Sequence, residues 1–387
     1  MKNISILGST GSIGKQTLDV IRAHKDRFRV VALSANSNIE LLKKQIDEFN
    51  PLAVCIANKD DAEKLELQKQ TEIFSGIEGM KKIASLDEAD TVVNSLVGSI
   101  GILPTIEAIR HNKDIAMANK ETLVTSGSIV MREAKKYGVM LIPIDSEHSA
   151  ILQCINGNKS HDIRRIVITC SGGPFRNLSN DELQKVTVKD ALTHPTWSMG
   201  AKITVDCATL MNKGFEVIEA HWLYGIPYES IEVVIHPESI IHSMVEFSDS
   251  SIIAQMSIPD MKLPIQYALS YPERIKNGFP SLDFTRLNAF TFAQPDTERF
   301  PCLEMAYEAG INGGTLPVVM NSANEVAVKY FLGNKIKFQE IPEIVKSAIE
   351  NHTPIKNPDL DEILETDKKT KIDVEKEILR QEIIDND

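Results

Sequence analysis

Asn3-Ile4-Ser5-Ile6-Leu7-Gly8-Ser9-Thr10-Gly11-Ser12-Ile13-Gly14 is the stretch that decides the fold. Its first five residues read as a strand. Three glycines at a spacing of three follow, and then Ile13, Thr17, Val20 and Ile21 recur on one face of a helix. Strand, glycine-rich turn and helix form the setting that a dinucleotide fingerprint requires. Glycines let backbone N–H groups approach a pyrophosphate, and a helix N-terminus favours negative charge. The spacing is GxxGxxG, not the commoner GxGxxG, so a tight turn that binds nothing is the competing reading.

Outward from this turn, Val30 to Leu33 form a second strand, leading into Ser34-Ala35-Asn36-Ser37-Asn38. An NAD site usually has an acid here for the ribose 2′-hydroxyl. None occurs before Glu40, and small polar side chains suit a 2′-phosphate, so NADP is favoured over NAD. Helix 38–49, strand 53–57, strand 91–94, a Gly98/Gly101 loop, a helix from near Pro104, strand 114–118, a helix near 127–137 and strand 139–144 complete the alternation. Such units predict a doubly wound parallel sheet over residues 1–145, with ligands at the carboxyl ends of the strands. Asn119, Lys120, Asp145 and Glu147 fall on that edge. If the chain stays extended beyond Ile144, Asp145 and Glu147 point to one side, where a hard divalent cation would relieve their repulsion. A solvated turn is the alternative.

Beyond residue 145 the pattern changes. Strand 163–170 opens into Ser171-Gly172-Gly173, a hydroxyl and free N–H donors suited to an oxyanion or phosphate. His194-Pro195-Thr196-Trp197-Ser198-Met199-Gly200 places large apolar side chains in a loop before an expected strand 202–206, as in lids that exclude water. Asn212 and Glu216 share a helical face with Lys213 beside them. Strands 231–237, 240–247 and 251–257 make this domain α+β with a partly antiparallel sheet. His236 and His242 are candidate site residues, although strand histidines are more often structural. Residues 270–301 carry Pro272, Pro280, Pro295 and Pro301 with Phe284, Phe290 and Phe292 among them, an extended connector. Helices follow at about 301–309 (ended by Gly310), 317–331, 340–351 and 373–384.

The 387 residues are 42% hydrophobic with net charge −12, which disfavours nucleic-acid binding but permits a basic pocket. Half of that charge sits from Asp359 onward, with 11 acidic against 5 basic side chains, and reads as a solvated face. Five scattered cysteines without CxxC spacing fit reduced thiols. With no signal, transit or membrane-spanning segment in view, a cytoplasmic protein is expected.

GSTGSIG, ANKE, DSEHSA, SGGPF, HPTWSMG, ATLMNKGFE and IHPESIIHSMVEF, in this order, resemble the 1-deoxy-D-xylulose 5-phosphate reductoisomerase family along nearly the whole chain. The resemblance implies an NADPH- and divalent-metal-dependent rearrangement and reduction of 1-deoxy-D-xylulose 5-phosphate to 2-C-methyl-D-erythritol 4-phosphate. The rearrangement would run by retro-aldol cleavage and re-addition to an aldehyde, which NADPH reduces. It implies a homodimer built of a Rossmann-like NADPH-binding domain (1–145), a catalytic domain (146–270), a connector (271–300) and a C-terminal helical bundle (301–387). Thr10, Gly11, Ser12, Ile13, Asn36, Ser37, Asn38, Asn119, Glu121 and Gly200 match cofactor positions. Asp145, Glu147 and Glu216 match the carboxylate ligands of Mg²⁺, Mn²⁺ or Co²⁺. Lys120, Ser146, Glu147, Ser171, His194, Cys207, Asn212, Lys213 and Glu216 match substrate positions, Lys120, Glu147 and His194 among them as catalytic candidates. Trp197 and Met199 match the lid. The proton carrier stays open between a substrate hydroxyl, a water and Glu147. Two positions depart from the family: Asn36-Ser37 stand where Gly and Lys are common, and Cys207 where a phosphate-binding Ser is usual. A semialdehyde dehydrogenase would need a nucleophilic cysteine with a partnered base, and an NADP sensor would not need the three carboxylates.

Overall fold

The computed structural model describes residues 1–65, 71–158, 162–193, 197 and 199–384, which form two compact units. The first comprises Met1–Thr122, Ser128–Leu152 and Asp260–Ser281. Its seven strands are β1 (Lys2–Leu7), β2 (Phe28–Ala35), β3 (Ala53–Ile56), β4 (Glu72–Ser75), β5 (Thr91–Asn94), β6 (Asp114–Met117) and β7 (Leu141–Pro143). All pair in parallel in the order β4-β3-β2-β1-β5-β6-β7. The order reverses between β1 and β5, which makes the edge beyond these two strands the switch point where such sheets bind ligands. Ile4, Ser5, Ile6 and Leu7 are all buried, as expected of a strand covered on both faces. The helix Ser12–Ala23 buries Gly14, Thr17, Leu18, Val20 and Ile21 against the sheet.

The second unit comprises Leu123–Gly127, Gln153–Pro259 and Leu282–Asp387. Its sheet has the order β11-β10-β8-β9, with β8 (Ile163–Cys170), β9 (Ile231–Ile235), β10 (Ile241–Phe247) and β11 (Ile252–Met256). β8 and β9 run parallel, and the β10 pairings are antiparallel. The helix Leu316–Leu332 is buried nearly all round and is the centre of the helical part. Gly214 lets the helix Met211–Tyr224 approach the helix Cys302–Asn312, since a Cβ there would lie 2.4 Å from the Ala306 methyl.

Several expectations are corrected. Residues 202–206 are not a strand but lie within the helix Ala201–Ala208. Gly310 does not end its helix, which runs on to Asn312. The last helix is one span, Leu360–Ile384. The extended segment expected to carry both Asp145 and Glu147 stops at β7, and Glu147 sits in the first turn of the helix Ser146–Ile155. The division at residue 270 places the helix Lys262–Ser270 with the second domain. Its contacts place it in the first unit, where Ile265, Ala268 and Leu269 join the core of Ile4, Ile6, Val20 and Leu33.

Candidate active site

In the first unit, the turn after β1 is held in shape from behind. Gly8 takes φ +88°, its N–H donates to Ser34 Oγ at 2.8 Å, and Ser9 Oγ donates to Gln45 Oε1 at 2.7 Å. Gln45 Nε2 returns a bond to Ser9 O at 3.0 Å. A Cβ on Gly14 would lie 2.2 Å from Gly8 O, so turn and helix can close this tightly only on glycine. Gly11 caps the helix without a side-chain acceptor, and the first turn carries no acid. The first N–H groups therefore suit an anion. Gly11 and Ser12 are exposed, and Thr10 and Ile13 partly so. Asn36, Ser37 and Asn38 are exposed at the carboxyl end of β2. Asn38 also caps the next helix, its Oδ1 accepting from Leu41 N–H at 3.2 Å, which turns its amide group into the available donor.

Asn119 has a structural task that the sequence does not reveal. Its Oδ1 caps the helix Lys120–Tyr137 by accepting from Thr122 N–H at 3.0 Å. Its Nδ2 donates to Leu96 O at 2.9 Å, Gly98 O at 3.1 Å and Glu121 Oε2 at 2.9 Å. Asn119 and Glu121 thus fix the loop after β5 beside the glycine turn. Lys120 forms a close ion pair with Asp145 Oδ2, and both side chains are largely buried. Asp145 Oδ1 accepts from Glu147 N–H at 3.2 Å and so caps the helix that follows. His148 is fully buried, with Nδ1 3.4 Å from Asp145 Oδ1, a neighbour that sequence reasoning missed. Its signal was the i,i+3 spacing from Asp145 at a helix start. Ser146 Oγ donates to Glu147 Oε2 at 2.5 Å.

In the second unit, Ser171 follows β8, and Gly172 and Gly173 take φ +80° and +71°. Gly173 N–H donates to Ser171 Oγ at 3.2 Å. A Cβ on Gly173 would meet Cys207 O at 2.6 Å, so the glycine seats this loop against the helix that carries Cys207. Leu210, in the left-handed region at φ 62°, turns the chain into the helix Met211–Tyr224. Asn212, Lys213 and Glu216 lie in its first two turns, all buried. Glu216 Oε1 accepts from Asn212 Nδ2 at 2.6 Å, and Lys213 Nζ forms a close ion pair with Oε2. A buried carboxylate survives only with such partners.

Gly200 caps the helix Ala201–Ala208 with open space where a Cβ would go. Trp197 and Met199 are partly exposed, and the Trp197 ring lies 6.3 Å from that of His242. His194, Thr196 and Ser198 lie outside the described residues. His236 is structural. Its Nδ1 bonds Thr291 O at 3.0 Å, its Nε2 accepts from Ile240 and Ile241 N–H at 3.3 and 3.2 Å, and its ring stacks on Phe292. Both ring nitrogens are thereby committed.

Three family models match the chain. The one described as 1-deoxy-D-xylulose 5-phosphate reductoisomerase covers residues 4–127, and two describing C-terminal domains of the same enzyme cover 141–224 and 256–372. A Bacillus cereus 1-deoxy-D-xylulose 5-phosphate reductoisomerase is 53% identical over 373 residues, spanning 96% of this chain and 98% of that relative. The Thermoanaerobacter pseudethanolicus enzyme of the same name is 52% identical over 98% of this chain and 100% of its own. Among solved structures, a DOX-P reductoisomerase in complex with NADPH, fosmidomycin and magnesium matches at TM-score 0.93 and 40% identity, covering 98% of each chain. The Zymomonas mobilis enzyme in complex with NADPH matches at 0.90 and 40%, covering 97% of this chain and 98% of that one.

Proposed function

Because the chain belongs to the 1-deoxy-D-xylulose 5-phosphate reductoisomerase family, we propose that the residues described above divide its chemistry among them as follows. The reaction itself is the NADPH- and divalent-metal-dependent conversion of 1-deoxy-D-xylulose 5-phosphate to 2-C-methyl-D-erythritol 4-phosphate. The observation that carries the assignment is the pairing of two of the three candidate ligands each with a buried lysine, Asp145 with Lys120 and Glu216 with Lys213. An all-oxygen set of Asp145, Glu147 and Glu216 fits a hard cation. The glycine turn, too tight for a Cβ at Gly14, fits a pyrophosphate.

When bound, the cation supplies Lewis acidity toward the substrate's carbonyl and hydroxyl oxygens, and NADPH supplies the hydride. Asp145, Glu147 and Glu216 hold the cation. Lys120, fixed by Asp145, stabilises oxyanion charge that develops on the substrate. Ser146 orients the Glu147 carboxylate through its hydrogen bond, and the proton is carried by a substrate hydroxyl, a water or Glu147. Ser171, Cys207, Asn212 and Lys213 bind the phosphate. An ammonium has three donors, so Lys213 serves Glu216 and a phosphate oxygen together, whereas the Cys207 thiol is a weak donor. Residues 1–145 bind the cofactor through Thr10, Gly11, Ser12 and Ile13, with Asn36, Ser37 and Asn38 toward the 2′-phosphate. Trp197 and Met199 cover the substrate.

The protein is read as a cytoplasmic homodimer. All five cysteines are free thiols, and no described helix is long and apolar enough to cross a membrane. Light scattering on the eluting protein measures the assembly. The decisive assay follows NADPH oxidation with the ketose phosphate, with and without Mn²⁺, in the wild type and in Asp145→Asn. Metal-dependent turnover that Asp145→Asn abolishes is expected; full turnover in that variant removes Asp145 from the ligand set.

A further inference from the structure

Two arginines that the chemistry above does not use grip the loop that follows Ser171. Arg176 lies across Gly172, its Cδ only 3.1 Å from where a Cβ would sit, and its Nη1 donates to Ser171 O at 3.3 Å. Arg299 reaches the same loop from 121 residues or more along the chain. Its Nη2 donates to Arg176 O at 3.1 Å and its Nη1 bonds Leu178 O. Arg299 is itself aimed by Asp296, whose Oδ2 accepts from Nε at 2.7 Å and whose Oδ1 accepts from the Arg299 N–H at 2.9 Å. Phe175, between the two gripped carbonyls in sequence and Gly173, is buried edge-on against Phe338 with centroids 4.9 Å apart.

Free in solution, a Ser-Gly-Gly segment samples many backbone states, and two consecutive glycines at positive φ are entropically costly to hold. Here the segment is fixed at Ser171 O by Arg176 and at Arg176 O and Leu178 O by Arg299, and Gly173, whose N–H bonds Ser171 Oγ, packs too close to the Cys207 carbonyl for any Cβ. A planar guanidinium with several donors suits the clamping of two carbonyls; an ammonium does not match that fork. What this anchoring preserves is the direction of the Ser171 hydroxyl and the neighbouring N–H groups. We propose that Arg299, acting through Arg176, is a positioning residue for the substrate's phosphate group. It holds Ser171–Gly173 in the anion-binding conformation without touching the ligand. The inference rests on the reading of Ser171 as a phosphate contact.

The test compares Arg299→Met, Arg299→Lys, Ser171→Ala and the Arg299→Met/Ser171→Ala double variant in the full-length enzyme. KM and kcat for the ketose phosphate, KM for NADPH and the melting temperature are measured. Arg299→Met is expected to raise the ketose phosphate KM by about tenfold, with kcat and the NADPH KM little changed, as loss of uniform binding predicts. Arg299→Lys recovers part of that loss, since one carbonyl can still be bonded. In the Ser171→Ala background the added effect of Arg299→Met shrinks, because both act on one contact. Asp296→Asn, which loosens Arg299 without removing it, shifts KM in the same direction and replaces Arg299→Met if that variant does not fold. If Ser171→Ala raises KM while Arg299→Met and Asp296→Asn leave it unchanged, the positioning role is overturned and the phosphate reading stands. Full additivity in the double variant also overturns it. If Ser171→Ala itself leaves KM unchanged, the phosphate reading fails and the positioning role falls with it.

Discussion

Replacing Glu216 by Gln separates the structural role of this carboxylate, as partner of Lys213, from its proposed role as a metal ligand. Glu216 is 2% exposed, with Asn212 Nδ2 on one oxygen and Lys213 Nζ on the other. Glutamine keeps the shape but offers one acceptor and one NH₂ group, so an amide donor must face either the lysine or the asparagine. Leaving a buried charge uncompensated costs about 3–5 kcal/mol. The melting temperature without metal should therefore fall. Loss of one of three ligating carboxylates should cost about 3 kcal/mol of Mn²⁺ affinity, roughly a hundredfold in Kd. Lys213→Met/Glu216→Gln distinguishes the two effects. Removing the lysine also removes the stranded charge, so stability returns, whereas Mn²⁺ affinity does not. Calorimetric titration with Mn²⁺ and thermal melts give both quantities without substrate. Wild-type Mn²⁺ affinity in Glu216→Gln, or its recovery in the double variant, would refute Glu216 as a ligand and leave it as the counter-ion of Lys213.

Gly14→Ala should raise the NADPH Kd by at least about a hundredfold, because relieving a 2.2 Å approach to Gly8 O opens the turn; nucleotide fluorescence titration measures it, and an unchanged Kd would place the pyrophosphate elsewhere. Burial pushes the thiols of Cys55 and Cys302 up to about 12 and that of Cys154 up to about 11. Native protein at pH 8 should therefore show only Cys170 and Cys207 as reactive thiols toward a disulfide reagent, with all five appearing after unfolding. The Arg110 guanidinium beside Glu133, 2.9 Å away, holds that carboxyl below the ordinary glutamate range. A depressed value means stability that is present above the unfolded-state pKa and lost as pH falls through the folded one. Glu133→Gln should thus cost about 0.5–1 kcal/mol at neutral pH, discounted because Arg110 is half exposed, and nothing at the acid end of a denaturation series.

The parallel sheet was legible because its strands are short apolar runs and its glycines fall where a turn must close. β4 was not: Glu72–Ser75 is a half-exposed edge strand without a buried run. The helix Ala201–Ala208 carries the β-branched run Ile203-Thr204-Val205, which argues for a strand. Tertiary partners override that preference, since Asp206 is buried and accepts from Lys202 and from Asn324. Gly310 looked like a helix stop, but a Cβ there would lie 2.6 Å from the Tyr228 ring. It is glycine for packing, and the stop is Gly313 at φ +65°. Asp145 and Glu147 were singled out on a strand argument that does not hold, since Asp145 caps a helix on which Glu147 sits. The capping pattern and the strand pattern share the same two-residue spacing of acids. His148, Arg176 and Arg299 were missed because their partners are backbone atoms or buried neighbours that only the folded chain identifies.

The discontinuity of the first unit bears on how the protein is born. Its sheet is encoded by the first 143 residues, yet the same core includes Ile265, Ala268 and Leu269. Burying two large aliphatic side chains and an alanine contributes about 4–6 kcal/mol, comparable with the whole stability of a small domain. A nascent chain that has reached Leu152 therefore carries the parallel sheet with one flank bare, and must wait until Ser281 has been made. At a ribosome's pace of about 5–20 residues per second, that interval lasts roughly 6–25 s. Through it, the apolar flank stays exposed, and completion of the first unit comes late in translation.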